Sequence, residues 1–439
     1  MRVATLRWSN FENTGLDLAT AAAKFALGPL HALILAPTFL FLAALTAMLL
    51  RHPDVRFYEV DRVAFAVLLI AVLGRAVVQR QKIRFVGASA PMLALTLLAL
   101  ISTLGQPFDH ETWSLLASKF LVPFALFHLA QLVFTDESRL RRFEVFALVV
   151  LAYLTFTSIA FLAGAHSLIF PRFILDESLG IQADRARGPL LQAVANGVSL
   201  NILGLLALHA YRRGTASRIG ARLLLAGVPV AILATMTRAV WLGFAASVLV
   251  LIALFKKHAA RRIWITLGIA STLMLVLALD SGRLGAALGE RLEERGPMDF
   301  REAVYAGAWQ MFFKHPLMGW GFHHMPTSLP HYVSGYQEKV LYPHSTYLEL
   351  LVEHGVIGLF LYLWLMWEIV RLGKGPIPSS ERQGFLDRDF HRLWPLILAV
   401  YWGNAAVVVM SYQFVNGLVF TMAGMLAAQE QRARALESC

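Results

Sequence analysis

The sequence predicts an all-α polytopic membrane protein with about 12 transmembrane helices. Of the 439 residues, 57% are hydrophobic and only 15% are charged, whereas soluble domains carry about 25% charged residues. The apolar residues also fall in blocks of about 18 to 24, and each block can cross roughly 30 Å of hydrocarbon as a helix. The blocks lack the alternation of β-barrel strands. Composition therefore excludes a water-soluble enzyme.

Twelve apolar blocks are the candidate spans, and short charged stretches separate most of them. They cover residues 30–50, 63–79, 86–105, 113–133, 143–165, 189–210, 221–236, 239–255, 263–280, 346–370, 393–410 and 413–428. Residues 1–28 carry Glu12, Asp17 and Lys24 among apolar positions, so we expect an amphipathic helix on the membrane surface rather than a cleaved leader.

The predicted spans divide the chain into five parts. They are the amphipathic segment 1–28, spans one to nine within 29–280, an outer loop with helices at 281–345, spans ten to twelve within 346–429, and a tail at 430–439. The outer connections 166–188 and 281–345 are long, and long loops often carry function. The single cysteine, Cys439, excludes an intramolecular disulfide.

Positive charge sets the predicted orientation. The even-numbered connections hold 20 Lys or Arg residues, whereas the short outer connections hold four. By the positive-inside rule, both termini are then cytoplasmic. The net charge of +11 is therefore explained by topology, and we expect no nucleic-acid partner.

Three arginines on the outer side are candidate phosphate ligands. Arg238 lies at the mouth of a predicted helical hairpin, where it binds a phosphate in bidentate fashion or simply snorkels to the headgroups. Arg301 opens an amphipathic segment, where its charge opposes the helix dipole and calls for an anionic partner. Arg187 and Arg185 precede an outer helix, where they contact a phosphate or, alternatively, only form part of a solvated loop face.

His344 is the candidate catalytic residue. It follows Pro343, and Thr346-x-x-Glu349 has capping-box spacing at the start of span ten. A helix N-terminus and nearby arginines disfavour imidazolium, so the ring would stay neutral and accept a proton near pH 7. The alternative is a histidine that only caps or packs.

Other ionisable residues rank lower. His323, His324, Glu349, Glu353 and His354 lack the spacing typical of metal ligands, so we expect no metal site. Lys119, near the outer end of span four, lines a polar cavity or snorkels.

Four segments resemble the O-antigen ligase superfamily, which also includes O-antigen polymerases and bacterial protein O-oligosaccharyltransferases. They are Arg187-Gly188 with Asn196 downstream, TRAVWLG around Arg238, FREAVYAGAWQMFFKHPLMGWGF, and HSTYLELLVEHGVIGLFLYL. Together they cover roughly residues 185 to 365. Ser345 stands where the family commonly shows Asn, and a small polar residue can still cap the helix.

The resemblance implies an inverting glycosyltransferase in the bacterial inner membrane, with a periplasmic active site and no cofactor. It would transfer O-antigen from undecaprenyl pyrophosphate to lipid A-core in lipopolysaccharide biosynthesis. Arg238 and Arg301 would hold the pyrophosphate, His344 would activate the acceptor hydroxyl, and Arg187 would be a further phosphate contact. The expected partners are the donor lipid, the lipid A-core acceptor and membrane lipids, and we expect a monomer.

Alternatives remain within and outside the superfamily. A polymerase or a protein O-oligosaccharyltransferase would share these motifs; the short tail after residue 428 favours a ligase or polymerase. A lipid-linked glycan transporter or flippase would also suit 12 spans, but such proteins place polar sites at the midplane of repeated halves. A scaffold for a polysaccharide assembly complex is the remaining alternative.

Overall fold

The computed structural model describes residues 36–52, 60–81, 84–180, 182–254, 296–333 and 340–437. Within these ranges the regular secondary structure is entirely helical, so the predicted all-α class is confirmed for them. The segment 1–28, the span at 263–280 and the first part of the long outer loop lie outside the described residues.

Each predicted span within the described ranges coincides with a helix. The helices are α1 Pro37–Leu49, α2 Val60–Val78, α3 Ser89–Leu104, α4 His110–Val133, α5 Glu137–Leu162, α6 Ala193–Arg213, α7 Arg218–Ala234, α8 Arg238–Leu254, α9 Gly296–Lys314, α10 Met325–Ser328, α11 Thr346–Leu372, α12 Arg388–Ala405 and α13 Gln413–Glu437. Of these, α4, α5, α6 and α11 are long and apolar enough to cross a membrane. The total of 12 spans stays a prediction.

Helix α6 lies in the middle of the bundle and packs against α5, α7, α8 and α12. Its glycines let neighbouring helices approach closely. A Cβ on Gly197 would lie 2.4 Å from Val240 Cγ1 of α8, and one on Gly204 would lie 3.3 Å from Val228 Cγ1 of α7. The first of these contacts fixes the N-terminal end of α8, which begins at Arg238, beside the N-terminal end of α6.

Helix α4 contains a π-turn at Ala117–Leu121. Val122 N–H donates to Ala117 O, five residues back, and the next residue, Pro123, has no N–H to continue the ordinary ladder. Such insertions into α-helices are frequent at functional positions. This one contains Lys119.

Helix α11 is interrupted in its middle at Gly355, which has φ 63° and ψ −164°. The loop 315–322 fills the interruption. Its Trp320 N–H donates to Val352 O and its Gly321 N–H to Glu353 O, both at 2.9 Å. In return, Val356 N–H donates to Pro316 O at 2.9 Å. Backbone groups at membrane depth must find protein partners, and here each half of the break finds them in the loop.

Glycines make this docking possible. A Cβ on Gly355 would lie 2.2 Å from Leu317 O, and one on Gly319, at φ 73°, would lie 2.4 Å from the Glu353 carbonyl carbon. The span predicted at residues 346–370 is therefore present as two half-helices joined through the loop.

Candidate functional site

His344 lies directly before α11, at the end of the helix that the charge asymmetry predicts to be outer. Its backbone is left-handed, with φ 48°, and its side chain is half-buried. Ser345 is the N-cap of α11, because its Oγ accepts a hydrogen bond from Leu348 N–H at 3.4 Å. The expectation that a small polar residue still caps this helix is therefore confirmed.

The predicted capping box of Thr346 and Glu349 is wrong. The Thr346 hydroxyl instead donates to Val408 O at 3.0 Å and accepts from Met410 N–H at 2.9 Å. These bonds tie the start of α11 to the segment between α12 and α13. The base candidate is thus held by two neighbouring anchors, the Ser345 cap and the Thr346 bridge.

Arg301 lies close enough to His344 to influence its charge. The long amphipathic helix α9 packs against α11, and the Phe300 ring lies 6.3 Å from the His344 ring, centroid to centroid. Burial of the imidazole, followed by the positive charge of Arg301, lowers the pKa of His344 below its ordinary 6.5. The ring is therefore neutral at pH 7 and can accept a proton.

Arg301 does not open its helix as predicted. Helix α9 begins at Gly296, so Arg301 lies inside the second turn and the helix-dipole argument does not apply to it. The anionic partner expected for Arg301 stays a prediction.

Arg238 is the first residue of α8 and is half-buried. The turn before it is tight: Met236 has φ 47°, and the Thr237 hydroxyl donates to Thr235 O at 2.8 Å. Ala186 N–H donates to Ala234 O at 3.0 Å, which joins this hairpin to the segment that carries Arg187. Arg238 therefore lies at the outer rim, next to that segment.

Arg187 is 1% exposed, and all three of its nitrogens contact backbone carbonyls. Its Nε donates to Ile174 O at 3.0 Å, and its two terminal nitrogens donate to Leu179 O and Asp176 O. The loop 174–179 is therefore wrapped around this guanidinium. The phosphate contact assigned to Arg187 stays a prediction.

The other residues of the Arg187-Gly188…Asn196 motif support the same loop. Asn196 Nδ2 donates to Ala186 O at 2.8 Å and to Ser158 Oγ at 3.0 Å. Gly188 has φ 56°, and a Cβ there would lie 2.8 Å from Asn196 Oδ1. The motif thus folds the outer loop against α5 and α6.

Sequence reasoning ranked Lys119 low, yet it forms a buried ion pair. Lys119 Nζ lies 2.9 Å from Glu349 Oε1, with both side chains at most 10% exposed. It also lies 5.5 Å from the centroid of the Phe322 ring, in the loop that fills the break of α11. The detectable signal was a charge inside an apolar block, which is costly and needs a partner. The partner, 230 positions along the chain, could not be identified.

Glu353 and His354 extend this polar cluster toward the break. In the part of the chain that the structure describes, Glu353 Oε1 and His354 Nε2 are buried without a hydrogen-bond partner. Lys119, Glu349 and Glu353 line a cavity of about 30 Å³, which has room for roughly one water molecule. Among the described residues, no three His, Cys, Asp or Glu side chains are grouped so as to hold a metal ion.

The structure thus brings together Arg301 and His344, and separately Arg238 and the Arg187 segment. The sequence predicts that both places lie on the outer side. Residues 222–363 match a family model described as O-Antigen ligase. This stretch contains Arg238, Arg301 and His344, and it confirms the resemblance to the O-antigen ligase superfamily. No curated protein gives a significant match to the chain.

Proposed function

From the O-antigen ligase match over residues 222–363, we propose that the protein is an inverting glycosyltransferase of the inner membrane. It transfers an O-antigen glycan from undecaprenyl pyrophosphate to lipid A-core oligosaccharide. The observation that carries the proposal is the pairing of a neutral, half-buried His344 with Arg301 inside the matching stretch. A proton acceptor beside a fixed cation suits a reaction that deprotonates a hydroxyl and releases an anion.

The proposed step is a single displacement at the anomeric carbon of the donor sugar. The acceptor oxygen forms a bond to that carbon while its proton passes to a ring nitrogen of His344. The bond between the anomeric carbon and the pyrophosphate oxygen breaks, and its electron pair leaves with the pyrophosphate. Arg238 and Arg301 neutralise the leaving group, which requires no metal ion.

The position of the base supports this chemistry. His344 precedes the first turn of α11, a helix that can cross a membrane, so it lies near the boundary between hydrocarbon and water. Donor and acceptor are both lipid-anchored, and their reacting sugars are confined to that boundary. With cytoplasmic termini, the boundary in question is periplasmic.

A lipid-linked glycan transporter is the second candidate, because transporters often place charged groups beside broken membrane helices. The break at Gly355 beside Lys119 and Glu349 is such a feature. However, the backbone groups at the break bond to the loop 315–322. They are therefore occupied by protein partners, which favours the transferase over the transporter.

A reconstituted assay tests the proposal. The purified protein in liposomes is incubated with undecaprenyl-pyrophosphate oligosaccharide and lipid A-core, in the presence of a chelator. We expect lipid A-core to gain the mass of the glycan. Lengthening of the glycan on its own lipid would identify a polymerase, movement of unchanged donor across the bilayer would identify a transporter, and loss of transfer in chelator would contradict metal independence.

A further inference from the structure

Two adjoining cavities lie beside α1 and α2, and the four predicted site residues line neither of them. The first, the apolar groove, has a volume of about 890 Å³. Its walls include Phe39, Leu42, Ala43, Ala47, Phe146 and Phe173. The second, the head pocket, has a volume of about 320 Å³ and combines aromatic walls with charged groups. Arg51 lines both cavities, so the apolar groove and the charged pocket meet at its side chain.

The depth of the apolar groove corresponds to one leaflet of a bilayer. Along α1 it extends from Phe39 to Leu50, which is about 16 Å at the helical rise per residue and roughly half the hydrocarbon thickness. The Phe39 and Phe170 side chains on its rim are 70% and 73% exposed, so the groove opens sideways toward lipid. His52 and Phe173 close its outer end, with ring centroids 4.7 Å apart. Lipid chains of the outer leaflet can therefore enter it.

The head pocket contains a buried hydrogen-bond acceptor. Asp61 is 2% exposed, and its Oδ2 lies 3.9 Å from Arg51 Nε. Within the described residues its other oxygen, Oδ1, has no hydrogen-bond partner. Because a buried acceptor without a donor is destabilising, this oxygen points to a ligand that offers a hydroxyl or another donor.

The rest of the head pocket suits an anionic saccharide. Arg51, Arg62 and His110 line it, and Arg62 Nη1 lies 3.4 Å from His110 Nε2. Guanidinium groups are well suited to binding a phosphate. Phe108 and Trp113 stack with their ring centroids 6.5 Å apart, and Phe108 is 80% exposed. Exposed aromatic faces of this kind pack against the C–H faces of sugar rings.

We propose that the apolar groove and head pocket together bind an anionic glycolipid, with acyl chains in the groove and a phosphate-bearing sugar in the pocket. Its role as the acceptor site rests on the proposed transferase function, whereas the binding itself does not. The groove adjoins the Arg187 segment, because its wall residue Phe173 directly precedes the loop 174–179 that Arg187 holds.

Direct binding tests the site without any need for turnover. The purified full-length protein is titrated with phosphorylated lipid A-core in detergent, and dissociation constants are measured for three variants. Ala43→Trp fills the groove, Arg62→Gln removes a charge from the pocket, and Ala66→Trp is the matched control at an exposed position of α2 outside both cavity linings. We expect the first two variants to bind about tenfold or more weakly, because each loses one charge-assisted contact or the burial of a chain segment. The control should bind normally.

Dephosphorylated lipid A-core adds a second comparison. The unmodified protein should bind dephosphorylated lipid A-core more weakly than phosphorylated lipid A-core, by about the factor that Arg62→Gln causes. In the Arg62→Gln variant, removing the phosphate should cause little further loss of affinity. Unchanged affinity in both site variants would overturn the proposal. So would equal competition by phosphatidylethanolamine, which would identify an ordinary membrane-lipid site, or by undecaprenyl phosphate, which would identify a donor site.

Turnover then tests the assigned role separately. If the unmodified protein transfers glycan, Ala43→Trp should raise the KM for lipid A-core and leave the KM for the donor unchanged. A raised donor KM, or no change in either, would refute the acceptor role. If the unmodified protein transfers nothing, the proposed function fails while the binding result stands on its own.

Discussion

Two outer regions of the molecule use arginine in opposite ways. In the loop before α6, the Arg187 guanidinium is buried and donates to three backbone carbonyls. Where α9 packs against α11, a place we call the α9–α11 corner and define by Arg301 and His344, the charge of Arg301 instead acts on the neutral ring of His344. The sequence suggested one role, phosphate binding, for both. Whether an arginine folds a loop or acts on a reacting group therefore depends on the partner of its guanidinium, and not on the sequence motif around it.

The largest expected effect comes from removing the base at the α9–α11 corner. His344→Ala should lower the rate of glycan transfer by about 10² to 10⁴-fold, the usual contribution of a general base, while donor binding persists. Single-turnover transfer and donor binding are measured in parallel. His331→Ala, an exposed histidine, is the control and should transfer normally. Full activity of His344→Ala would show that this corner has no catalytic base.

The next effect should fall on folding. Arg187→Gln leaves the carbonyls of Ile174, Asp176 and Leu179 without their charged donor. It should cost at least about 3 kcal/mol of unfolding free energy, since each bond to a charged donor contributes about 1.5 to 3 kcal/mol. Thermal unfolding and proteolysis of the loop 174–179 report it. Arg185→Gln, whose Nε lies 3.7 Å from Asp184 Oδ2, changes a looser ion pair and should cost less. If Arg187→Gln is fully stable but binds the donor weakly, Arg187 is a phosphate ligand and its structural role is contradicted.

Sequence reasoning located helices better than it located contacts. The apolar blocks form helices because about 18 consecutive residues that face the core or the lipid have no water to hydrogen-bond their backbone groups. A helix satisfies those groups within the segment. Charge asymmetry placed His344, Arg238 and Arg301 on one side. The break of α11 was not predictable, since Gly355 in an apolar run looks like any other helical glycine until the loop 315–322 meets it. The partner of Lys119 and the two outer cavities likewise depend on tertiary packing between distant segments.

The smallest effect concerns the pH dependence of the same corner. The neutral imidazole is the active form, so kcat/KM should fall as pH decreases through the pKa of His344. Burial and Arg301 hold that pKa below 6.5, and the midpoint of the acid limb should therefore also lie below 6.5. In Arg301→Gln the electrostatic part of the shift disappears, and the midpoint should move upward while the part due to burial remains.

Lys314→Gln provides the charge-matched control for this measurement. Lys314 lies on the same helix, but its Nζ donates to Tyr332 Oη at 3.0 Å, so its loss should leave the midpoint in place. A midpoint that moves equally in both variants would mean that His344 responds to the net charge of α9 rather than to Arg301. A midpoint that moves in neither would remove Arg301 from the electrostatics of the base and leave burial as the reason why His344 is neutral.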